Sequence, residues 1–392
     1  MTASPDIMTT YGPAPVTFVS GSGTELVDEA GKTYLDFLAG LAVVSLGHAR
    51  PEVTEAVASQ AATLTHVSNL FGNDQGPQVA RLLAELLEDA TGHHGSVFFC
   101  NSGAEANECA LKLARRWAGD RYAVIALTDS FHGRTMATLA ATGQPEKQAA
   151  FLPMPERFVH VAIDDAATVR DLLGTGQFAA VIVEGIQAEG GIKVPAEGYL
   201  TEIATACREA DALLIFDEVQ TGLGRTGDWF SFQHEGVVPD IVTMAKALGN
   251  GFPVGACWAR DEVAASYQPG DHGSTFGGQP LAMAAAKATL STLIAIDAPA
   301  AASSASAQLR AGLLDLPGVI DVRGRGLLLG AVLEAPVARE VVQAALGEGL
   351  VANAVRPDVV RLTPPLTVTP AEITEALHRL RTALTKTMGV KP

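Results

Sequence analysis

Lys246 stands directly after the apolar run "DIVTMA" and ahead of the Gly-rich "LGNGFPVG". An amine at a strand end is either solvated or partly desolvated, and desolvation lowers its pKa and frees it as a nucleophile. Asp217 and Glu218 close the run "ALLIF" in the same way, within "FDEVQTGLGRTG". Strands often end in acidic turn residues, so this pair alone has an ordinary structural reading. In "NSGAEANE", Ser102 and Glu105 have the spacing of a capping box. Gly103 and Ala104 leave the first-turn N–H groups open to an anion such as phosphate, although most capped helices bind nothing. "SFHGRT" sets Phe131, His132 and Arg134 in one loop, an aromatic face beside a guanidinium that could grip a carboxylate. A packed Phe with a solvated Arg explains that loop equally well. His132 alone reads as a hydrogen-bonded packing residue.

Individually weak, the four signals agree on one ligand. A lysine amine and a carboxylate from neighbouring strand ends are the groups that hold a pyridoxal ring. The amine bonds its aldehyde carbon, and the carboxylate keeps the ring nitrogen protonated so that the ring accepts electrons. The helix start would take the phosphate, and Phe131 would cover the ring.

The elements that must position these groups are legible as runs. "SVFFC", "YAVIAL", "AAVIVEG", "ALLIFDE", "DIVTMA" and "VGACWA" are short apolar strands separated by helical stretches. That alternation predicts a mainly parallel α/β sheet covered on both faces, with ligands gathered at the carboxyl ends of its strands. "TELVDEAGKTYLDF" predicts an N-terminal hairpin. Beyond "AIDAPAAASSASAQLRAGLLDL", read as a helix with a small-residue face, "GVIDVRGRGLLLGAVL" and "VVRLTPPL" with a closing helix predict a smaller α+β region. The expected division is residues 1–50 as an N-terminal part of the small domain, 51–288 as the large domain and 289–392 as the C-terminal small domain.

Composition narrows the classes. A chain of 392 residues with 48% hydrophobic and 18% charged residues is a packed globular protein, with two domains as the natural expectation. A formal charge of −16 with no basic cluster argues against nucleic acid. Any anionic ligand must then be held by local groups. Cys100, Cys109, Cys207 and Cys257 lie far apart with no CxxC pair, so buried thiols are expected, with no disulfide framework and no metal set. The first ten residues carry no secretory pattern and no apolar run reaches membrane-spanning length, so a cytoplasmic protein is expected.

In order along the chain, "LGHARPEV", "HVSNLF", "NSGAEANE", "FHGRTM", "VIVEGIQAEGG", "FDEVQTGLGRTG", "AKALGNGFPVGA", "HGSTFGGQP" and "VRLTPPL" resemble the class III (ω-amino) pyridoxal-phosphate aminotransferases, in particular those of arginine biosynthesis that act on N-acetylornithine. The resemblance implies fold-type I: a large domain with a mainly parallel seven-stranded sheet, one strand antiparallel, and a smaller domain from both chain ends. It implies pyridoxal 5′-phosphate as cofactor, with Lys246 as covalent anchor and proton carrier and Asp217 on the ring nitrogen. Val219 and Phe131 would face the two sides of the ring, and Gln220 would reach its O3′. Gly103 and Ala104 would meet the phosphate, together with Thr275 from the partner subunit of a homodimer with shared active sites. Ser274 and Arg134 would contact substrate, and Glu189 and Arg361 would form a movable ion pair. Glu218 would be structural.

Two positions depart from the family's usual "EPIQGEGG": Gly185 replaces a proline and Ala188 a glycine, beside Glu189. Losing proline loosens a φ restraint, and Ala188 is ill-suited to a strongly positive φ. Gln279 stands where Asn is usual. The implied reaction moves the δ-amino group of N-acetylornithine to 2-oxoglutarate, giving the semialdehyde and glutamate. Ornithine, 4-aminobutyrate and succinyl-diaminopimelate donors share most of these motifs. A catalytically silent cofactor-binding protein is the reading from another class, opposed by the joint presence of Lys246, Asp217, Gln220, Arg134 and Arg361.

Overall fold

A computed structural model describes residues 6–389. The N-terminal strands β1 (Phe18–Ser22), β2 (Glu25–Asp28) and β3 (Thr33–Asp36) form an antiparallel meander. Then come β4 (Gly95–Cys100), β5 (Ala123–Leu127), β6 (Phe158–Val161), β7 (Phe178–Val183), β8 (Leu213–Asp217), β9 (Ile241–Met244) and β10 (Gly255–Arg260). These seven make one sheet in the order β4-β10-β9-β8-β7-β5-β6. β10 is antiparallel to both neighbours, and the pairs from β9 to β6 are parallel. Every residue of β5, β7, β8 and β9 is buried, which is why these strands read as unbroken apolar runs rather than alternating ones.

Six of the seven strands match runs picked out by hydrophobicity. The seventh, β6, has the sequence "FVHV" and lies at the sheet edge with three of its four residues only partly buried. A four-residue edge strand carrying a histidine has too little apolar signal to stand out.

The remaining strands are β11 (Val319–Arg325), β12 (Leu328–Leu333), β13 (Leu350–Val351), β14 (Asn353–Arg356) and β15 (Val359–Leu362). β11-β12-β15-β14 form a second antiparallel sheet, while β13 adds in parallel to β3 of the N-terminal meander. Both chain ends therefore build the smaller layer, as expected. The backbone of Thr363 donates to Phe37 at 2.7 Å and that of Leu366 to Ser45 at 2.7 Å, tying the ends together further. Arg225 lies fully buried at this junction and donates to the carbonyls of Leu327 and Pro364 and to Ser45 Oγ. Its guanidinium thus holds three separate segments with backbone and hydroxyl acceptors.

The four cysteines are free and buried. Among the described residues no single helix is long and apolar enough to cross a membrane. The helices Pro280–Ala295 and Ala298–Leu314 reach that apolar length only as a pair bent by 64°.

Candidate active site

A cavity of about 410 Å³ opens at the carboxyl ends of the parallel strands. Its wall carries nine of the twelve residues expected at the site: Gly103, Ala104, Phe131, Arg134, Glu189, Asp217, Val219, Gln220 and Lys246. They arrive from strand ends far apart in sequence because β8, β9 and β7 are neighbours in the sheet.

Asp217 is the last residue of β8 and is buried. Its Oδ2 accepts from Asn107 Nδ2 at 2.7 Å and faces His132 Nδ1 at 2.8 Å, while Oδ1 accepts from the Val219 N–H at 3.1 Å. Thr243, paired with Asp217 across β8 and β9, donates to Asn107 Oδ1 at 2.7 Å. That bond turns the Asn107 amide so that its NH2 group points at the carboxylate. Asn107 also donates to the His132 carbonyl at 2.8 Å. The carboxylate is thus fixed by three donors, two of them themselves positioned.

Lys246 follows β9 with φ of 35°, a left-handed conformation that tips its side chain out of the strand direction. Burial lowers its amine from the ordinary 10.5 to about 8, with Arg361 acting in the same direction and Glu189, Asp217 and Glu184 opposing. An amine near 8 has a substantial neutral fraction at physiological pH, as a nucleophile requires.

The helix Gly103–Ala118 begins at the cavity. Ser102 Oγ accepts from the Glu105 N–H at 3.2 Å, the expected cap. Glu105 does not return to the Ser102 N–H; its carboxylate accepts from the Asn101 backbone at 2.9 Å and from the Asn101 side chain at 3.0 Å. The N–H groups of Gly103 and Ala104 have no acceptor among the described residues and face the cavity at the positive end of a 16-residue helix. A Cβ on Gly103 would lie 2.7 Å from Val219 Cγ1, so glycine lets the helix start press against the valine.

Phe131 donates its N–H to Glu184 Oε2 at 3.0 Å, which sets the ring at the cavity wall. Glu184 is buried, and that burial, with Asp217 nearby, pushes its carboxyl well above the carboxylate range. Arg134 is exposed at the mouth, 5.7 Å from the Phe131 ring centroid, and pairs with no carboxylate among the described residues. Arg361, on β15, is fully buried behind the wall. It donates to Glu189 Oε1 at 2.5 Å, to Gln220 Oε1 at 3.1 Å and to Asn353 Oδ1 at 3.0 Å. Glu189 is partly exposed, so the pair has one buried and one accessible member.

The departures at Gly185 and Ala188 are accommodated. Ala188 is fully buried and lies outside the left-handed region. A Cβ at position 185 would lie 2.1 Å from Ser231 Oγ, so the space a proline would fill is occupied by that serine. Ser231 Oγ in turn donates to Glu218 Oε1 at 2.7 Å, and Glu218 points away from the cavity into this loop.

Ser274 and Thr275 do not line this chain's cavity. Ser274 Oγ lies 3.3 Å from Asn101 Nδ2 and accepts from the Gly277 N–H at 3.0 Å, while Thr275 is exposed. Gly277 packs so tightly on β4 that a Cβ would meet the Phe99 carbonyl oxygen at 2.1 Å, which holds this loop on the outer edge of the sheet.

Sequence reasoning missed Asn107, Thr243 and Glu184, and gave His132 a packing role only. A signal existed for Asn107: it is a polar residue on the otherwise apolar, buried face of its helix.

These groups fit pyridoxal 5′-phosphate. Two unpartnered N–H groups at a helix start suit its phosphate, and a triply braced carboxylate suits a protonated ring nitrogen. A depressed lysine suits its aldehyde, and Phe131 and Val219 on the cavity wall suit a flat ring.

The aminotransferase class-III family model matches residues 7–384. The acetylornithine aminotransferase of Corynebacterium efficiens is 47% identical over 387 residues, covering 96% of this chain and 94% of the relative. Among solved structures, ornithine aminotransferase from Toxoplasma gondii ME49 superposes with a TM-score of 0.92 at 34% identity, covering 98% of this chain and 93% of its own. N-acetylornithine aminotransferase from Stenotrophomonas maltophilia K279a does so with 0.83 at 35%, covering 97% and 98%. With that match across nearly its whole length and a cavity that suits the cofactor, the chain belongs to the class-III aminotransferases and is a pyridoxal-phosphate-dependent transaminase of fold-type I.

Proposed function

We propose that this enzyme transfers the δ-amino group of N2-acetyl-L-ornithine to 2-oxoglutarate, giving N-acetyl-L-glutamate 5-semialdehyde and L-glutamate in two half-reactions, within arginine biosynthesis. Curated relatives at 43% to 49% identity that carry the acetylornithine aminotransferase name support the reading. The single observation that carries it is the Glu189–Arg361 pair at the cavity wall, set against an unpaired Arg134 at the mouth.

When bound, pyridoxal 5′-phosphate supplies an aldehyde carbon and an electron-accepting ring. Lys246 would anchor it and would carry the proton at the substrate's amine-bearing carbon. Asp217, braced by Asn107 and His132, would hold the proton on the ring nitrogen. The N–H groups of Gly103 and Ala104 would hold the phosphate, Phe131 and Val219 on the cavity wall would pack against the ring, and Gln220 would donate to its O3′. Arg134 grips the carboxylate remote from the reacting carbon: the α-carboxylate of N-acetylornithine, or the γ-carboxylate of 2-oxoglutarate. Only 2-oxoglutarate and glutamate bring a second carboxylate close to the reacting carbon, where Arg361 meets it. Glu189 cancels that cation while the ω-amine donor is bound and swings aside for glutamate.

Thr275 reaches the phosphate of the partner's site in a homodimer, and Ser274, beside it, contacts substrate. Asn69, followed by exposed Leu70 and Phe71, donates to the carbonyls of Ser274 and Gly277, which flank Thr275 and exposed Phe276. Four free buried thiols support a cytoplasmic enzyme. The domain division proposed is residues 1–50, 51–288 and 289–392, with the second boundary inside the helix Pro280–Ala295.

The test is a panel of N-acetylornithine, ornithine, succinyl-diaminopimelate and 4-aminobutyrate with 2-oxoglutarate. N-acetylornithine should have the highest kcat/KM, above ornithine by about tenfold or more. Equal or better turnover of ornithine or 4-aminobutyrate would reassign the donor, and no turnover of any amine would leave a silent cofactor-binding protein.

A further inference from the structure

Asp129 immediately follows β5 and its neighbour Thr128, with φ of 67°. Its two carboxylate oxygens are divided between two cations: Oδ2 lies 2.6 Å from Lys193 Nζ, and Oδ1 lies 2.6 Å from Arg356 Nη2. Both cations act on the loop that carries Glu189. Lys193 closes it, exchanging backbone hydrogen bonds with Gln187 at 2.9 and 3.2 Å. Arg356 Nε donates to the carbonyl of Gly190, the residue after Glu189, at 3.0 Å. The Arg356 stem runs over Gly191, where a Cβ would come within 2.9 Å of its Cγ.

Arg356 also belongs to the strand that steadies the other half of the pair. β14 carries Arg356 and Asn353, and Asn353 lies opposite Arg361 on β15 and accepts from its Nε. One strand of the small sheet therefore grips the Glu189 loop through Arg356 and Arg361 through Asn353. Asp129 ties that strand and the loop to the end of β5 in the large sheet.

We propose that Asp129, Arg356 and Lys193 form a positioning clamp that holds Glu189 against Arg361, and so sets the enzyme's discrimination between ω-amine donors and α-carboxylate substrates. The inference rests on the Glu189–Arg361 switch described above. The side chains are each about a third exposed, so one pair alone would be a weak restraint in water. The clamp works through shared geometry: an Arg356 fork that bonds a carboxylate and a backbone carbonyl at once, which a lysine cannot reproduce.

The test uses the cofactor-loaded enzyme and the variants Asp129→Asn and Arg356→Lys, each alone and combined with Glu189→Gln. Two quantities are read: the ratio of kcat/KM for N-acetylornithine to that for glutamate, and the Kd of maleate, a non-reacting dicarboxylate, from the change in cofactor absorbance. Loosening the clamp should bare Arg361. The ratio should fall and maleate should bind more tightly, each by about fivefold, a size usual for residues that act through others. Asp129→Glu should restore much of both, and melting temperatures should change little. In the Glu189→Gln background the clamp variants should have no further effect. Unchanged ratio and maleate affinity in both clamp variants would overturn the clamp while leaving the switch intact. So would an effect that persists in full without the Glu189 charge. If Glu189→Gln itself altered neither quantity, the switch and the clamp would fall together.

Discussion

Asp217 and Glu218 are adjacent in sequence and opposite in fate. The period-two geometry of the strand end sends Asp217 to the cavity and Glu218 into the loop behind it. There Glu218 accepts from Ser231 Oγ, Thr221 Oγ1 and the Phe232 N–H. Burial still pushes its carboxyl up from 4.5 to about 7. Between those values the folded state holds a proton that the unfolded chain has lost, so stability falls as pH rises across that window. Glu218→Gln keeps one acceptor oxygen for Ser231 and Phe232, offers its NH2 to the Thr221 hydroxyl, which must turn to accept, and cannot titrate. Its thermal stability should be flatter between pH 4.5 and 7, and at pH 8 it should exceed the parent by up to about 3 kcal/mol, the free energy that corresponds to a rise from 4.5 to about 7. Parallel melting-temperature curves for the two proteins would remove the role assigned to burial here.

At the scale of elements, the loop after β7 shows how a local substitution is absorbed by a distant one. Gly185 is the residue that Ser231 requires, since any side chain at 185 would collide with its hydroxyl. Gly185→Ala should therefore destabilise by about 1–3 kcal/mol, the usual cost of overpacking. Most of that cost should vanish when Ser231→Gly is already present, although Ser231→Gly alone loses a bond to Glu218. A double-mutant cycle in denaturant measures the coupling. Additive effects would mean that the glycine is needed for backbone freedom and not for space.

Over the whole molecule, one chain lines the cavity without Thr275, while Thr275 and Phe276 are exposed on the loop that Asn69, next to exposed Leu70 and Phe71, holds by its amide. Large exposed apolar side chains clustered next to a residue expected at a partner's phosphate point to a two-fold interface. Light scattering should give the mass of two chains. Phe276→Asp should shift the protein toward one chain and loosen cofactor retention with it, read by absorbance after gel filtration. A fully active single chain would remove Thr275 from the site.

The strand runs, the hairpin, the helix cap and the positions of Lys246 and Asp217 were legible in the sequence, because each is a local pattern: an apolar stretch, a turn, a spacing of three. The identity of the cofactor followed, since four such patterns served one ligand. The braces were not legible. Asn107 and Asp217 are 110 positions apart, Arg225 and Pro364 are 139, and Asp129 and Arg356 are 227. Local periodicity tells a side chain whether to face inward, but not what it will meet there. The partner is set by the strand order β4-β10-β9-β8-β7-β5-β6 and by the joining of both chain ends in the small layer, and only the folded chain decides those.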